Sequence, residues 1–233
     1  MSLKNGAALV SSYPKMPITV DCVIFGFDDK ELKVLLIRSD LKKYEDKWSL
    51  LGDVVNENEE IDAAAYRVLE QRTGMTDVYL DQVKTFSDPK RHPGGRVITV
   101  AYCSLLNIQH YNLQKTDNEL HWHSVASIEE MAFDHKEILD TCHKWLQKMV
   151  QENPLGFNLL PDKFSLRELQ HLYEAILGVE LDRRNFRKKF ASMNLLIDLE
   201  EMEEDVPHRP GKLYKFNFEK YDKSRRKWIG IDF

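Results

Sequence analysis

The stretch from Gly52 to Met75, GDVVNENEEIDAAAYRVLEQRTGM, constrains the fold more than any other part of the chain. A short strand, KWSLLGDV, enters a polar loop, and helical spacing then runs from Ile61 to Arg72. Ile61, Ala64, Ala65, Val68 and Leu69 fall on one stripe. Gly74 stands where a helix C-terminal glycine belongs. Residues three and four apart share a helical face, which groups Val68, Gln71 and Arg72. Glu70 points about 200° around the axis from Val68 on a 3.6-residue period, so it belongs to another face.

Strands and helices are mixed on both sides of this stretch. Ile18 to Phe27 is β-rich, Asp28-Asp29-Lys30 reads as a turn and Leu32 to Arg38 as a second strand, which together make a hairpin. Val78 to Phe86, Arg96 to Leu106 and Leu120 to Val125 read as three more strands. Ser127 to Met131 starts a short helix, and His135 to Val150 is a longer one, apolar at Ile138, Leu139, Cys142, Trp145, Leu146 and Met149. Between Gln151 and Asp162 the periodicity breaks at Pro154, Gly156 and Pro161, as it does in a linker. The expected division is an arm over residues 1–17, a first domain over 18–154, a second over 155–220 and a tail over 221–233.

With 233 residues, 42% of them hydrophobic, the chain is long enough for two such cores. A charged fraction of 30% and a formal net charge of −5 point to a soluble protein and disfavour nonspecific coating of nucleic acid, although an acidic whole can hide a basic patch. No apolar run approaches the ~20 residues that span a bilayer, and the N-terminus lacks the pattern of a signal peptide. The reading is a cytoplasmic protein with no membrane partner. Cys22, Cys103 and Cys142 are widely spaced, form no CxxC or Cys/His cluster, and suit a reducing compartment. His121 and His123 share one face of a strand; with no third ligand nearby, surface pairing is favoured over a metal site.

The second domain carries its own signals. Ser165-Leu166-Arg167-Glu168 has the S-x-x-E form of a capping box before an apolar periodic run ending at Gly178. Asp182 suits the N-cap of the next helix, RRNFRKKFASM, whose Phe186, Phe190 and Met193 pack inward. Arg183, Arg184, Asn185, Arg187, Lys188 and Lys189 stay outside. A solvated charged face is the usual meaning of such a run. Here the local balance is strongly positive in an acidic chain, and the helix follows another after a short turn, which is the composition of a DNA recognition helix. Arginine forks reach guanine, asparagine pairs with adenine, and lysines hold phosphate. His208, Arg209 and Lys212 precede the strand LYKFNF and read as a wing tip. The acidic run Asp198 to Asp205 reads as a solvated loop facing away from DNA.

Gly52, Glu59, Arg67, Leu69 and Gly74 resemble the framework of the Nudix box, with Asp53 in place of its second loop glycine. Nudix enzymes hold metal-binding glutamates where this chain has Val68, Gln71 and Arg72. Mg²⁺ and Mn²⁺ need hard oxygen ligands. Valine offers none, glutamine one neutral oxygen, and arginine a like charge, worth ~4 kcal/mol of repulsion per unit pair at ~4 Å and an effective dielectric of 20. On this reading the box has no catalytic residues, binds no metal and takes no cofactor. Glu59 and Arg67 remain either as a partly buried pair joining loop to helix or as an exposed pair worth ~0–1 kcal/mol.

Together with the winged helix order, the stretches TVDCVIFGF, KRHPGGRVITVAY, MAFDHKEIL, GFNLLPDKFSLRELQHLYEAILG and RRNFRKKF resemble the Nudix-related transcriptional regulators. The resemblance implies an α+β fold: a Nudix-like α/β/α sandwich with a mixed sheet, followed by a winged helix-turn-helix domain. It implies a homodimer on a palindromic double-stranded operator, with an effector in a non-catalytic pocket releasing DNA. Family members respond to L-arabinose or to ADP-ribose. The lost metal set and GFNLLP are most similar to the arabinose branch, so a sugar-responsive repressor is the first expectation and an ADP-ribose-responsive regulator of NAD metabolism the second. The pocket implied by the resemblance draws on Asp53, Asp88, Arg91, Arg96, Asp134 and His135, with Trp48 or Phe133 giving an apolar face. Two other classes stay open: a hydrolase using relocated ligands among Glu57, Glu59, Glu60 and Glu70, and a protein- or RNA-binding adaptor.

Overall fold

The computed structural model describes residues 15–28, 30–39, 41–111, 120–152, 159–204, 206–207, 209–217 and 219–220. The boundary expected near residue 155, the tail from 221 and most of the N-terminal arm lie outside these residues, as does His208.

Seven strands form one mixed sheet: β1 (Ile18–Phe27), β2 (Leu32–Arg38), β3 (Trp48–Ser49), β4 (Leu51–Val54), β5 (Asp81–Phe86), β6 (Ile98–Asn107) and β7 (Leu120–Ser124). The β1–β2 hairpin opens after Phe25 meets Val34, and the expected single strand KWSLLGDV fills the gap in two pieces. Its first piece, β3, pairs with the end of β2; its second, β4, pairs with Thr19 to Cys22 of β1. On its other edge β1 runs parallel to β6 from Ile18 to Phe27.

Strand alternation sorts the side chains of β1 onto two faces. Val20, Cys22 and Ile24 pack with Ala64, Ala65, Val68 and Leu69 of α1 (Ile61–Thr73). Val23, Phe25 and Phe27 pack with Ile138, Leu139, Cys142 and Leu146 of α2 (His135–Glu152). A helix thus covers each side of the sheet. Gly74 ends α1 in the left-handed conformation at φ 75°. The helix expected from Ser127 is absent: Val125–Ser127 is one 3-10 turn. All three cysteines are buried and free, and burial pushes the thiols of Cys22 and Cys103 up.

The second part is a three-stranded sheet, β8 (Phe164–Ser165), β9 (Leu196–Met202) and β10 (Lys212–Phe216) in the order β8-β10-β9, with α3 (Leu166–Leu177) and α4 (Arg183–Met193). The capping box forms at Ser165 and Glu168, and Asp182 Oδ1 accepts the Asn185 N–H at 2.7 Å. Tyr173, Phe186 and Phe190 lock the two helices together, with ring centroids 4.5–5.7 Å apart. The first part of the acidic run, Asp198 to Met202, is strand rather than the expected loop, and neighbouring cations take up its charge and that of Glu203. Asp198 pairs with Lys212 at 2.7 Å, Glu201 with Lys163 at 2.6 Å and Glu203 with Arg167 at 2.8 Å.

The two parts share buried surface. One apolar cluster runs from Val23 through α2 to Tyr173 and Phe216. The end of α3 rests on α2: His143 Nε2 lies 2.9 Å from the Ile176 carbonyl, and Gln147 Nε2 donates to the Ile176 and Leu177 carbonyls. These are carbonyls that a helix end leaves without intrahelical partners. Among the described residues no helix is long and apolar enough to cross a membrane.

Candidate functional site

A cavity of about 480 Å³ opens where β4, the start of α2 and the loop before β6 meet the end of α1. Its floor is a buried charge network. Arg91, with a side chain only 4% exposed, donates from Nε and Nη2 to both oxygens of Asp134 at 2.8 Å. The same guanidinium stands 3.7 Å from Asp21, which also accepts the Thr99 hydroxyl at 2.7 Å. The Leu50 N–H donates to His135 Nδ1 at 3.0 Å, so the ring proton sits on Nε2, which faces Asp21 Oδ1 at 3.6 Å. Burial holds the His135 imidazole below its usual range.

Gly52 is required at this floor: a Cβ there would collide with the Asp21 carboxylate and lie 2.9 Å from the Val20 carbonyl oxygen. Phe133 forms part of the wall in the left-handed region at φ 53°, a conformation that costs a bulky residue about 1–3 kcal/mol. Three neighbours hold it: His92 stacks on its ring at 5.1 Å, with Tyr44 at 4.7 Å and His135 at 5.0 Å.

Of the expected effector residues, Asp53, Arg91 and His135 line this cavity, and so does Phe133. Asp134 stands behind it as the partner of Arg91. Three residues fall elsewhere. Asp88 is exposed and accepts the Lys90 N–H in a turn. Arg96 is exposed just before β6. Trp48 projects away from the neighbouring Ser49, which lines the cavity; its ring lies under the Arg38 guanidinium at 3.9 Å and beside His121 and His123. Sequence reasoning missed Asp21, although a lone carboxylate inside the apolar strand TVDCVIFGF signals a buried partner.

The box residues take three different environments. Val68 is 1% exposed and belongs to the core under α1. Gln71 is exposed, with Oε1 3.4 Å from Arg67 Nη1. Arg72 lines the cavity. An aliphatic core residue, an amide and a guanidinium do not fit a divalent cation, and among the described residues no cluster of three or more His, Cys, Asp or Glu can hold one. Arg67 does hold the loop: Nε and Nη2 grip Glu59 at 2.6 and 2.9 Å, and Nη2 also donates to the Val54 carbonyl at 2.9 Å. The Arg67 hydrogen bond holds the Glu59 carboxyl down at about 2.

A second concave surface, of about 450 Å³, lies between α4 and the β9–β10 hairpin. Arg183, Arg187, Arg209 and Lys212 of the expected DNA contacts line it, joined by Arg167. Arg184, Asn185 and Lys188 are exposed on α4 outside it, and Lys189 is half-buried. Lys212 is paired with Asp198, and Arg187 Nε is buried with no hydrogen-bond partner.

The NUDIX domain family matches residues 15–142, and the NrtR DNA-binding winged helix domain matches residues 156–216. The "ADPR responsive transcriptional repressor NtrR" of Acinetobacter baylyi is 32% identical over 217 residues, covering 91% of this chain and 86% of that protein. Shewanella oneidensis NrtR, crystallised with a 27mer DNA, matches with a TM-score of 0.73 at 27% identity over 88% of this chain and 95% of that one. Its NUDIX domain with ADP ribose matches at 0.55 and 25% identity, over 63% of this chain and 99% of that one. These relatives favour the second expected effector over the first, so the arabinose assignment drawn from the lost metal set and GFNLLP is corrected. With a NUDIX domain and an NrtR winged helix in one order along the chain, the protein belongs to the Nudix-related transcriptional regulator family.

Proposed function

We propose that this chain is a transcriptional repressor that grips double-stranded operator DNA through its winged helix and releases it when ADP-ribose fills the NUDIX cavity. The observation that carries the DNA reading is the cleft beside α4, where Arg183, Arg187 and Arg209 converge in a chain of net charge −5. The exposed Arg184, Asn185 and Lys188 extend the same basic face. The effector reading rests on the ADP-ribose named for two relatives and on a cavity of suitable size for a small ligand, lined by Asp53, Arg91, His135 and Phe133. The chain acts as a homodimer on a palindromic site, with residues 18–154 holding the effector and 155–220 the DNA. It is not a hydrolase, since the box face offers no metal seat.

Fluorescence anisotropy with labelled duplex from upstream of the neighbouring genes tests this. Binding should weaken steeply with salt, and Arg183→Ala or Arg187→Ala should cost about 1–3 kcal/mol where either reads a base. ADP-ribose, and not L-arabinose, should release the DNA, which requires it to bind the DNA-free shape more tightly. Salt-insensitive binding, or release by arabinose alone, would refute the proposal.

A further inference from the structure

The floor of the NUDIX cavity is poorly suited to an anion. Asp21 and Asp134 surround one guanidinium, that of Arg91, which directs two of its donors to Asp134. Neighbouring His135 is buried and its Nδ1 already accepts a backbone N–H. A diphosphate entering here meets an excess of negative charge. In NUDIX hydrolases a divalent cation offsets it, but the donor set of this box does not fit one.

Arg72 is placed to replace that cation. It sits in the last turn of α1, half-buried, and its side chain lines the cavity beside Gly52 and Asp53. This is the box position that resembles a metal-binding glutamate of the hydrolases, so a positive side chain stands at the cavity wall where the box would carry a carboxylate. A guanidinium also presents a planar fork that matches phosphate oxygens bidentately. It carries one charge rather than two and coordinates no water, so it can hold a diphosphate without activating a nucleophile beside it.

We propose that Arg72 clamps the effector's diphosphate and supplies the positive charge that a metal ion brings in the hydrolases, so that the effector binds without any metal. The inference rests on the ADP-ribose reading above, and it explains how a binding site survives the loss of its metal ligands.

Isothermal titration of the full chain tests it, with ADP-ribose, adenosine and inorganic pyrophosphate as probes, in EDTA and in MgCl₂. Wild type should bind ADP-ribose equally in both buffers and more weakly as salt rises. Arg72→Gln should lose about 10- to 100-fold, the worth of a hydrogen-bonded charge pair, while any adenosine binding stays unchanged. Arg72→Lys keeps the charge at the helix end but loses the fork, and should fall between them; DNA affinity and melting temperature report whether each variant folds. An Arg72→Gln affinity within about twofold of wild type, or a metal requirement in wild type, overturns the clamp. Pyrophosphate binding that depends on Arg72, without ADP-ribose binding, keeps the clamp and refutes the effector reading. Binding of neither probe overturns both.

Discussion

Replacing Arg91 with methionine keeps much of the side-chain volume and deletes the one guanidinium at the cavity floor. Two charge-assisted hydrogen bonds of 2.8 Å to Asp134 go with it. So does the attraction to Asp21 at 3.7 Å, about 4 kcal/mol at an effective dielectric near 20. Part of that is returned because the arginine no longer has to be desolvated. Breaking a buried pair from one side costs about 3–5 kcal/mol, since the orphaned partner remains. Two carboxylates remain here, with side chains 6% and 16% exposed. Arg91→Met should therefore remove about 3–5 kcal/mol from a stability typically near 5–15, read by urea unfolding at pH 7. Arg91→Met/Asp134→Asn should recover part of the loss, because one orphan is gone.

The same variant carries a pH signature. Burial lowers the His135 pKa, Asp21 and Asp134 oppose that shift, and Arg91 adds to it. A folded value below the unfolded one means that stability falls as pH drops below about 6.5. Removing Arg91 raises the folded value, so this acid-side loss shrinks in the variant, and the His135 ring titrates at higher pH by NMR. A cost under about 1 kcal/mol, or a double variant no more stable than the single, would refute the account of the floor.

Other perturbations reach different parts of the molecule. Ser165→Ala removes a buried cap whose Oγ accepts the Glu168 N–H at 3.3 Å and should cost about 0.5–2 kcal/mol in urea unfolding. Gly52→Ala drives a methyl into the Asp21 carboxylate; it should cost about 1–3 kcal/mol and abolish effector binding by titration calorimetry. Because the Glu59 carboxyl lies at about 2 in the folded chain, its pairing stabilises the fold above the unfolded value near 4.5 and is lost as pH falls toward 2. Glu59→Gln should flatten that part of the melting-temperature profile; an unchanged profile would show that the pair contributes nothing.

Local rules made much of this fold readable. The capping box at Ser165, the glycine ends of α1 and α3, and the inward Phe186 and Phe190 all follow from neighbours within a few residues. What failed depended on distant partners. KWSLLGDV divides at Leu50 because two different strands pair with it, and Asp198 to Met202 joins β9 with Lys163 and Lys212 offsetting its charge. Of the expected effector residues, Asp53 on β4, Arg91 in the loop before β6 and His135 at the start of α2 line the candidate cavity, whereas Asp21 was missed because the rest of its strand is apolar. Trp48 was misplaced because the side that each β3 residue faces depends on the strand's division, and Asp88 and Arg96 because the path of their loop is set by Arg91 reaching Asp134. GFNLLP did not reveal the effector: Leu159 and Leu160, among its described residues, are core side chains packed with α2 and do not line the cavity.

Val68 shows that packing, as well as donor chemistry, closes this face of the box to a cation. Its side chain is buried in the apolar cluster between α1 and the sheet. A carboxylate restored at that position would enter hydrocarbon rather than water, at a cost of several kcal/mol before any metal arrived to compensate. A glutamate placed there would cost stability unless α1 first moved away from the sheet. Restoring all three carboxylates would therefore require the helix to be repacked, and not only its side chains to be exchanged.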